Sequence, residues 1–143
     1  MYWARTDFPG RFVHMSSRFG ASHIDHVTII THDLARARDF FSRVLQLVEV
    51  PRPESFDFPG AWFQIGPNVL HLLEKPQRDT TSARHFCIWV TDIRGAAEHA
   101  KTMGCDVAWQ LKHKIPGIDR FFLNDPDGNR IEIQGSDTAG RVA

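Results

Sequence analysis

His26, His71, His85 and Glu132 are the residues of this chain whose types and spacing suit chemistry. Imidazole nitrogens and a carboxylate oxygen are ligands of intermediate hardness, suited to Zn, Ni, Co, Mn or Fe(II), and two His with one carboxylate and open positions is the usual non-haem iron arrangement. Taken singly, each histidine reads as a hydrogen-bonded core or surface residue, and Glu132 as ion-paired with Arg130 or Arg84. Taken together they stand apart, because an internal repeat puts them at matching positions.

The stretch Asp25-His26-Val27-Thr28-Ile29-Ile30-Thr31-His32-Asp33-Leu34 runs in register with Arg84-His85-Phe86-Cys87-Ile88-Trp89-Val90-Thr91-Asp92-Ile93, and such self-similarity is the mark of a duplicated unit. After each Asp the strand-like run gives way to a helical period: Leu34, Ala37, Phe40, Phe41 and Val44, then Ile93, Ala96, Ala97, Ala100 and Met103. Asp33 and Asp92 are predicted N-caps, and Gly104 a left-handed helix end. Three short strands follow in each copy, over 47–50, 61–65 and 69–74, and over 106–110, 120–124 and 129–134. Gly66-Pro67-Asn68 and Asp125-Pro126-Asp127-Gly128-Asn129 supply the turns before the last strands. Pro51, Pro53 and Pro59 make the segment between 51 and 60 a loop. The unit is βαβββ, twice: an α+β protein with modules 23–76 and 83–136 in one domain, an N-terminal arm over 1–22 and a tail over 137–143.

Side chains alternate faces along a strand. Phe86, Ile88 and Val90 form an apolar face suited to a helix, leaving His85, Cys87 and Trp89 opposite; Ile131 and Ile133 likewise leave Arg130, Glu132 and Gln134. Val27 and Ile29 separate from His26 and Thr28, and Leu70 and Leu72 from His71. A buried ionised Glu132 beside histidines is costly unless paired or metal-bound. Four such residues on the faces the helices do not claim predict a shared metal site.

Composition sets limits. Lys plus Arg (17) equal Asp plus Glu (17), so no surplus positive field exists for phosphate backbones or anionic lipid, and nucleic-acid and membrane partners are set aside. A small-molecule substrate is the expected partner. At 143 residues a chain buries roughly 70% of its unfolded surface. Cys87 and Cys105 have apolar neighbours and read as core fillers in a reducing compartment, hence cytoplasm. No apolar run approaches the ~20 residues that span a bilayer, and Arg5, Asp7, Arg11 and Arg18 interrupt any secretion signal.

From residue 23 to 135 the sequence resembles the vicinal-oxygen-chelate superfamily, which groups glyoxalase I, methylmalonyl-CoA epimerase, extradiol dioxygenases, fosfomycin-resistance enzymes and bleomycin-binding proteins. The resemblance is carried by Ile24-Asp25-His26-Val27, by Ser55-Phe56-Asp57-Phe58-Pro59-Gly60-Ala61-Trp62, by Leu70-His71-Leu72-Leu73-Glu74, and above all by Phe121-Phe122-Leu123-Asn124-Asp125-Pro126-Asp127-Gly128-Asn129-Arg130-Ile131-Glu132. It implies two modules pairing their sheets into a split barrel, one divalent ion per site held by His26, His71, His85 and Glu132, and a homodimer. Bacterial-type glyoxalase I usually has Glu, and the epimerase Gln, where this chain has His71; loss of that anionic base weighs against lactoylglutathione lyase activity.

The leading functional expectation is an isomerase or lyase whose metal holds two neighbouring substrate oxygens and stabilises an enediolate. Glu132 is preferred over His71 as the base. The alternatives are an extradiol-type Fe(II) or Mn(II) dioxygenase, which would use His26, His85 and Glu132 but find His71 in a position that oxygen needs, and a non-catalytic drug-binding protein with Trp62, Phe63, Trp89, Trp109 and Phe122 lining its pocket. A fosfomycin-type transferase would need a Ser-containing loop that is not evident around Ile118-Asp119-Arg120. Lys112, His113, Lys114 and Arg120 read either as a clamp for an anionic group or as a solvated loop, and Arg52 carries the same two readings.

Overall fold

Asp33 and Asp92 start the two helices as the sequence predicts: their carboxylates accept the backbone N–H of Arg36 at 3.0 Å and of Gly95 at 2.9 Å, each satisfying a donor that the first helical turn leaves open. Helix α1 (Leu34–Arg43) buries Ala37, Phe40 and Phe41, and α2 (Ile93–Thr102) buries Ile93, Ala97 and Ala100. The second ends through Gly104 at φ 85°, while the first is followed by Gln46 at φ 53°, a left-handed turn built without glycine. The computed structural model describes residues 23–137; the arm expected over 1–22 and the tail beyond Asp137 lie outside the described residues.

Eight strands complete the chain: β1 (His26–Thr31), β2 (Val48–Val50), β3 (Gly60–Ile65), β4 (Asn68–Glu74), β5 (His85–Trp89), β6 (Ala108–Trp109), β7 (Ile118–Asn124) and β8 (Arg130–Ser136). They form two sheets of identical order, β1-β4-β3-β2 and β5-β8-β7-β6. In each, the first strand lies parallel to the last, and the last three form an antiparallel meander. The helix is the crossover that a parallel pair requires.

The apolar faces meet the helices. Ala61, Phe63, Leu70 and Leu72 of the first sheet and Ile88, Phe121, Leu123, Ile131 and Ile133 of the second join the helix residues in one buried cluster. Burying a residue the size of Phe63 or Phe121 contributes about 1.5–3 kcal/mol. The other faces stay open: Val48, paired with Gln64 beside Trp62, is 68% exposed and Trp89 is 48% exposed. The fold class is therefore the expected one, two βαβββ modules in a split arrangement, with the barrel open rather than closed.

One turn joins the modules. Within 125–129, the Asp125 carboxylate accepts the N–H groups of Asp127 (2.9 Å) and Asn129 (2.8 Å), and Gly128 adopts φ 85° where an added Cβ would meet Thr81 at 2.8 Å. The turn then reaches across to β1. Asn129 donates its side-chain amide to the Ile30 carbonyl at 2.9 Å. Asp127, whose side chain is 4% exposed, accepts from the Thr31 hydroxyl at 2.6 Å and the His32 N–H at 3.3 Å, contacts the His32 ring, and pairs with Arg78 at 3.6 Å.

Burial pushes the Asp127 carboxyl upward, but the bonds from Thr31 and His32 outweigh it and hold it below the ordinary aspartate range. A carboxyl lowered in this way stabilises the fold above its unfolded pKa, and the contribution is lost as pH falls through the folded one. Asp127→Asn is accordingly expected to cost about 1–3 kcal/mol near pH 7. The gap between variant and wild-type urea midpoints should narrow as pH is taken to about 3; a gap that is constant across that range would mean the charge of Asp127 is not what joins the modules.

Candidate metal centre

On the open face of the first sheet, β1 and β4 run parallel with Thr28 opposite His71 and His26 opposite Val69, so His26 and His71 are diagonal neighbours. Their rings stack at 4.3 Å between centroids and 13° between planes. Trp62, the direct cross-strand partner of His71, covers its other side at 4.1 Å and 2°, and Phe56 from the 51–59 loop meets the Trp62 ring edge-on at 5.2 Å. Burial first, and the neighbouring His26 second, hold the His71 pKa below its ordinary value, which keeps it a neutral imidazole at neutral pH. The Nδ1 of His26 lies 2.9 Å from the Asp25 carboxylate, a pure acceptor, so that nitrogen carries the proton and Nε2 is left with the lone pair. Its hydrogen bond to His26 is also the chief reason the Asp25 carboxyl is lowered.

The second sheet presents a different pair. The Nδ1 of His85 faces the Ala83 carbonyl at 2.9 Å, which fixes the same tautomer and turns Nε2 toward Glu132 Oε2 at 2.8 Å. Glu132 Oε1 accepts from Arg120 Nη1 at 3.0 Å and from Gln134 Nε2 at 2.9 Å. Glu132 is only 3% exposed. Burial raises its pKa, yet the hydrogen bonds from Gln134 and Arg120, with the charge of Arg120, more than offset this and leave it lowered. The pair is an ionised carboxylate with one oxygen anchored and the other shared with the His85 imidazole.

The four predicted ligands thus come together as two pairs, His26 with His71 and His85 with Glu132. Among the described residues no three His, Cys, Asp or Glu side chains gather in one place within the chain. Each pair still has the donor chemistry of a divalent site: freed imidazole nitrogens, a neutral His71 and an ionised Glu132.

Several expectations are corrected. The partner of Glu132 is Arg120, not Arg130 or Arg84; Arg120 lies in β7 opposite Gln134, so a guanidinium can span to Glu132 on the same face. Its second nitrogen bonds the His113 carbonyl at 2.6 Å, while Lys112, His113 and Lys114 are exposed, as in a solvated loop. Arg52 is committed to its own loop, donating to Gly60 and Phe58 carbonyls. Cys87 is exposed rather than a core filler, because alternation puts it on the open face with His85. Phe63 is fully buried among the helices and Trp109 packs on Phe121, leaving Trp62, Trp89 and Phe122 as the aromatics of the open faces. The contacts of Asp25 with His26 and of Gln134 with Glu132 follow from adjacency and strand parity, a signal present in the sequence.

Removing Arg120 strips a buried carboxylate of a charged donor. Arg120→Met should cost about 1–3 kcal/mol in denaturant unfolding near pH 7. The cost should be far smaller in a Glu132→Gln background and should shrink as pH falls through the glutamate range, since Glu132 contributes stability only while ionised. Equal costs in both backgrounds would show that the guanidinium acts elsewhere.

With this geometry in hand, comparison with known proteins is informative. A family model described as the Glyoxalase/Bleomycin resistance protein/Dioxygenase superfamily matches residues 23–133. Glyoxylase I 4 of Arabidopsis thaliana is 27% identical over 125 residues, covering 80% of this chain and 71% of the plant protein. Among solved structures, a glyoxalase family protein from Bacillus anthracis is 27% identical with a TM-score of 0.74, covering 81% of this chain and 96% of that one. A fosfomycin resistance protein from Listeria monocytogenes (17%, TM-score 0.69, 82% and 93%) and a lactoylglutathione lyase from Agrobacterium tumefaciens (21%, TM-score 0.62, 83% and 97%) share the fold. Two βαβββ modules and a family match that spans both of them agree on one conclusion: the chain belongs to the glyoxalase/bleomycin resistance protein/dioxygenase superfamily.

Proposed function

We propose that the protein is a divalent-metal-dependent enzyme of the glyoxalase type, acting as an isomerase or lyase on a small oxygenated molecule, and that two chains build each site. The observation that carries this reading is the pair of preorganised ligand sets on open faces that one chain leaves apart. In a two-fold homodimer the His26–His71 pair of one protomer would face the His85–Glu132 pair of its partner, and symmetry would make two such sites. Exposed Val48 and Trp89 on the same faces give the second chain apolar surface to cover.

Bound there, Zn, Ni, Co, Mn or Fe would supply Lewis-acid polarisation of two neighbouring substrate oxygens. Proton transfer fits His71 better than the Glu132 that sequence alone favours. His71 is neutral and offers a lone pair, with Trp62 and Phe56 shielding it from water, whereas hydrogen bonds to both oxygens of Glu132 lower its basicity. A cytoplasmic setting is favoured by Cys87 and Cys105, which form no disulfide, and no helix among the described residues is long and apolar enough to cross a membrane.

Elemental analysis of the purified, reconstituted protein should find about one divalent ion per chain, lost in Glu132→Ala. The double variants His26→Ala/His71→Ala and His85→Ala/Glu132→Ala should each lose the metal. Refolded as a mixture they should regain part of it, since a mixed dimer holds one intact site. Absence of metal from the wild type would overturn the metal reading, and failure of the mixture to recover would overturn the shared site.

A further inference from the structure

Most arginines near the open face of the second sheet are already in use: Arg120 on Glu132 and the His113 carbonyl, Arg84 on Ser82, Arg78 on Asp127. Arg130 is not. Its guanidinium carbon lies 3.9 Å from the centroid of the Phe122 ring, and among the described residues no carboxylate, hydroxyl or carbonyl pairs with it. Stacking on an aromatic face immobilises a guanidinium while leaving its N–H fork free to bond in the plane.

The place of this fork gives it meaning. Arg130 is the direct cross-strand partner of His85 and shares the open face with Glu132, two residues along β8. Phe122, opposite Glu132, also meets the His85 ring edge-on at 5.2 Å, so one ring orders both the ligand and the arginine. Beside them opens a cleft of about 260 Å³ between β1 and the start of β5, lined by Thr28, Ser82, His85, Asn129 and Arg130. The cleft also meets two carboxylates, but Asp127 is held by Thr31, His32 and Arg78, and Asp79 accepts the Thr80 N–H.

We propose that Arg130 is a specificity-determining residue that holds an oxyanion of the substrate, a carboxylate or a phosphate, next to the His85–Glu132 pair. The substrate is then a small acid with oxygens adjacent to its anionic group, not a neutral diol or ketone. Where those further oxygens go rests on the metal reading above; the anion contact itself belongs to the metal-free chain.

Calorimetric titration separates the two. Inorganic phosphate and glycolate are titrated into metal-free and zinc-loaded wild type, Arg130→Met, Arg130→Lys and Phe122→Leu, with catechol as the neutral probe on the zinc-loaded forms and thermal unfolding to check each variant. Arg130→Met should weaken phosphate or glycolate by about tenfold or more, the size of a lost charge-assisted bond, and leave zinc and catechol binding unchanged. Arg130→Lys should recover part, and Phe122→Leu should weaken anions several-fold with the charge retained. Preference for glycolate would assign a carboxylate, preference for phosphate a phosphoryl group. The proposal is overturned if metal-free wild type binds neither anion or if Arg130→Met binds both as wild type does. Should the protein take up no zinc, the metal reading fails alone and the metal-free titrations still decide the role of Arg130.

Discussion

The Asp125–Asn129 turn carries carboxylate and amide groups of the second module onto the end of the first, and the arrangement of the molecule follows from that contact. Asp127 is buried, which is unfavourable for a charge, and it is tolerated because Thr31, His32 and Arg78 meet it. Asn129 adds a bond to the Ile30 carbonyl at the exposed edge of β1. These contacts lie at the strand ends, so they set the modules side by side and give them one continuous core on the helix side. With the helices claiming one face of each sheet, the ligand-bearing faces are left open. Both the separation of the ligand pairs and the cleft beside Arg130 are consequences of where this turn docks.

The two modules are alike in backbone and unlike in electrostatics. In the first, His71 is sandwiched between the His26 and Trp62 rings, and burial first, with His26 second, lowers its pKa. In the second, Glu132 is ionised in a dry setting because Gln134 and Arg120 hold one oxygen. The same two strand positions therefore yield a stacked imidazole pair in one half and an imidazole–carboxylate pair in the other. A duplicated scaffold permits this because side chains on the open face can change without disturbing the helix-facing core.

Much of this was legible in the sequence. Period-2 alternation with β-branched residues placed β1, β4, β5 and β8, and the 3.6-residue stripes behind Asp33 and Asp92 placed both helices, because those patterns report which side is buried. Two features resisted. Strand 106–110 shortens to Ala108–Trp109, an edge with little to pair against. The separation of the four candidate ligands into two pairs is a tertiary feature, as is the reach of Asp127 and Asn129 across the module boundary, which has no local signature.

Charge accounting joins the proposed centre to the proposed substrate. Glu132 would supply the one negative charge among the four ligands, since His26, His71 and His85 bind metals as neutral imidazoles. A divalent ion held by that set keeps a net positive charge, and Arg120 neutralises part of the carboxylate before any metal does. Arg130 then adds a second cation on the same face, fixed against Phe122. Two positive centres on one face would repel each other unless something negative lay between them, and in a partly desolvated cleft that repulsion would be stronger than in water. A substrate with an anionic group and adjacent oxygens would offset that imbalance, whereas a neutral ligand would leave it in place. With such an ion in place the face would favour acids, even though the whole chain carries no net charge.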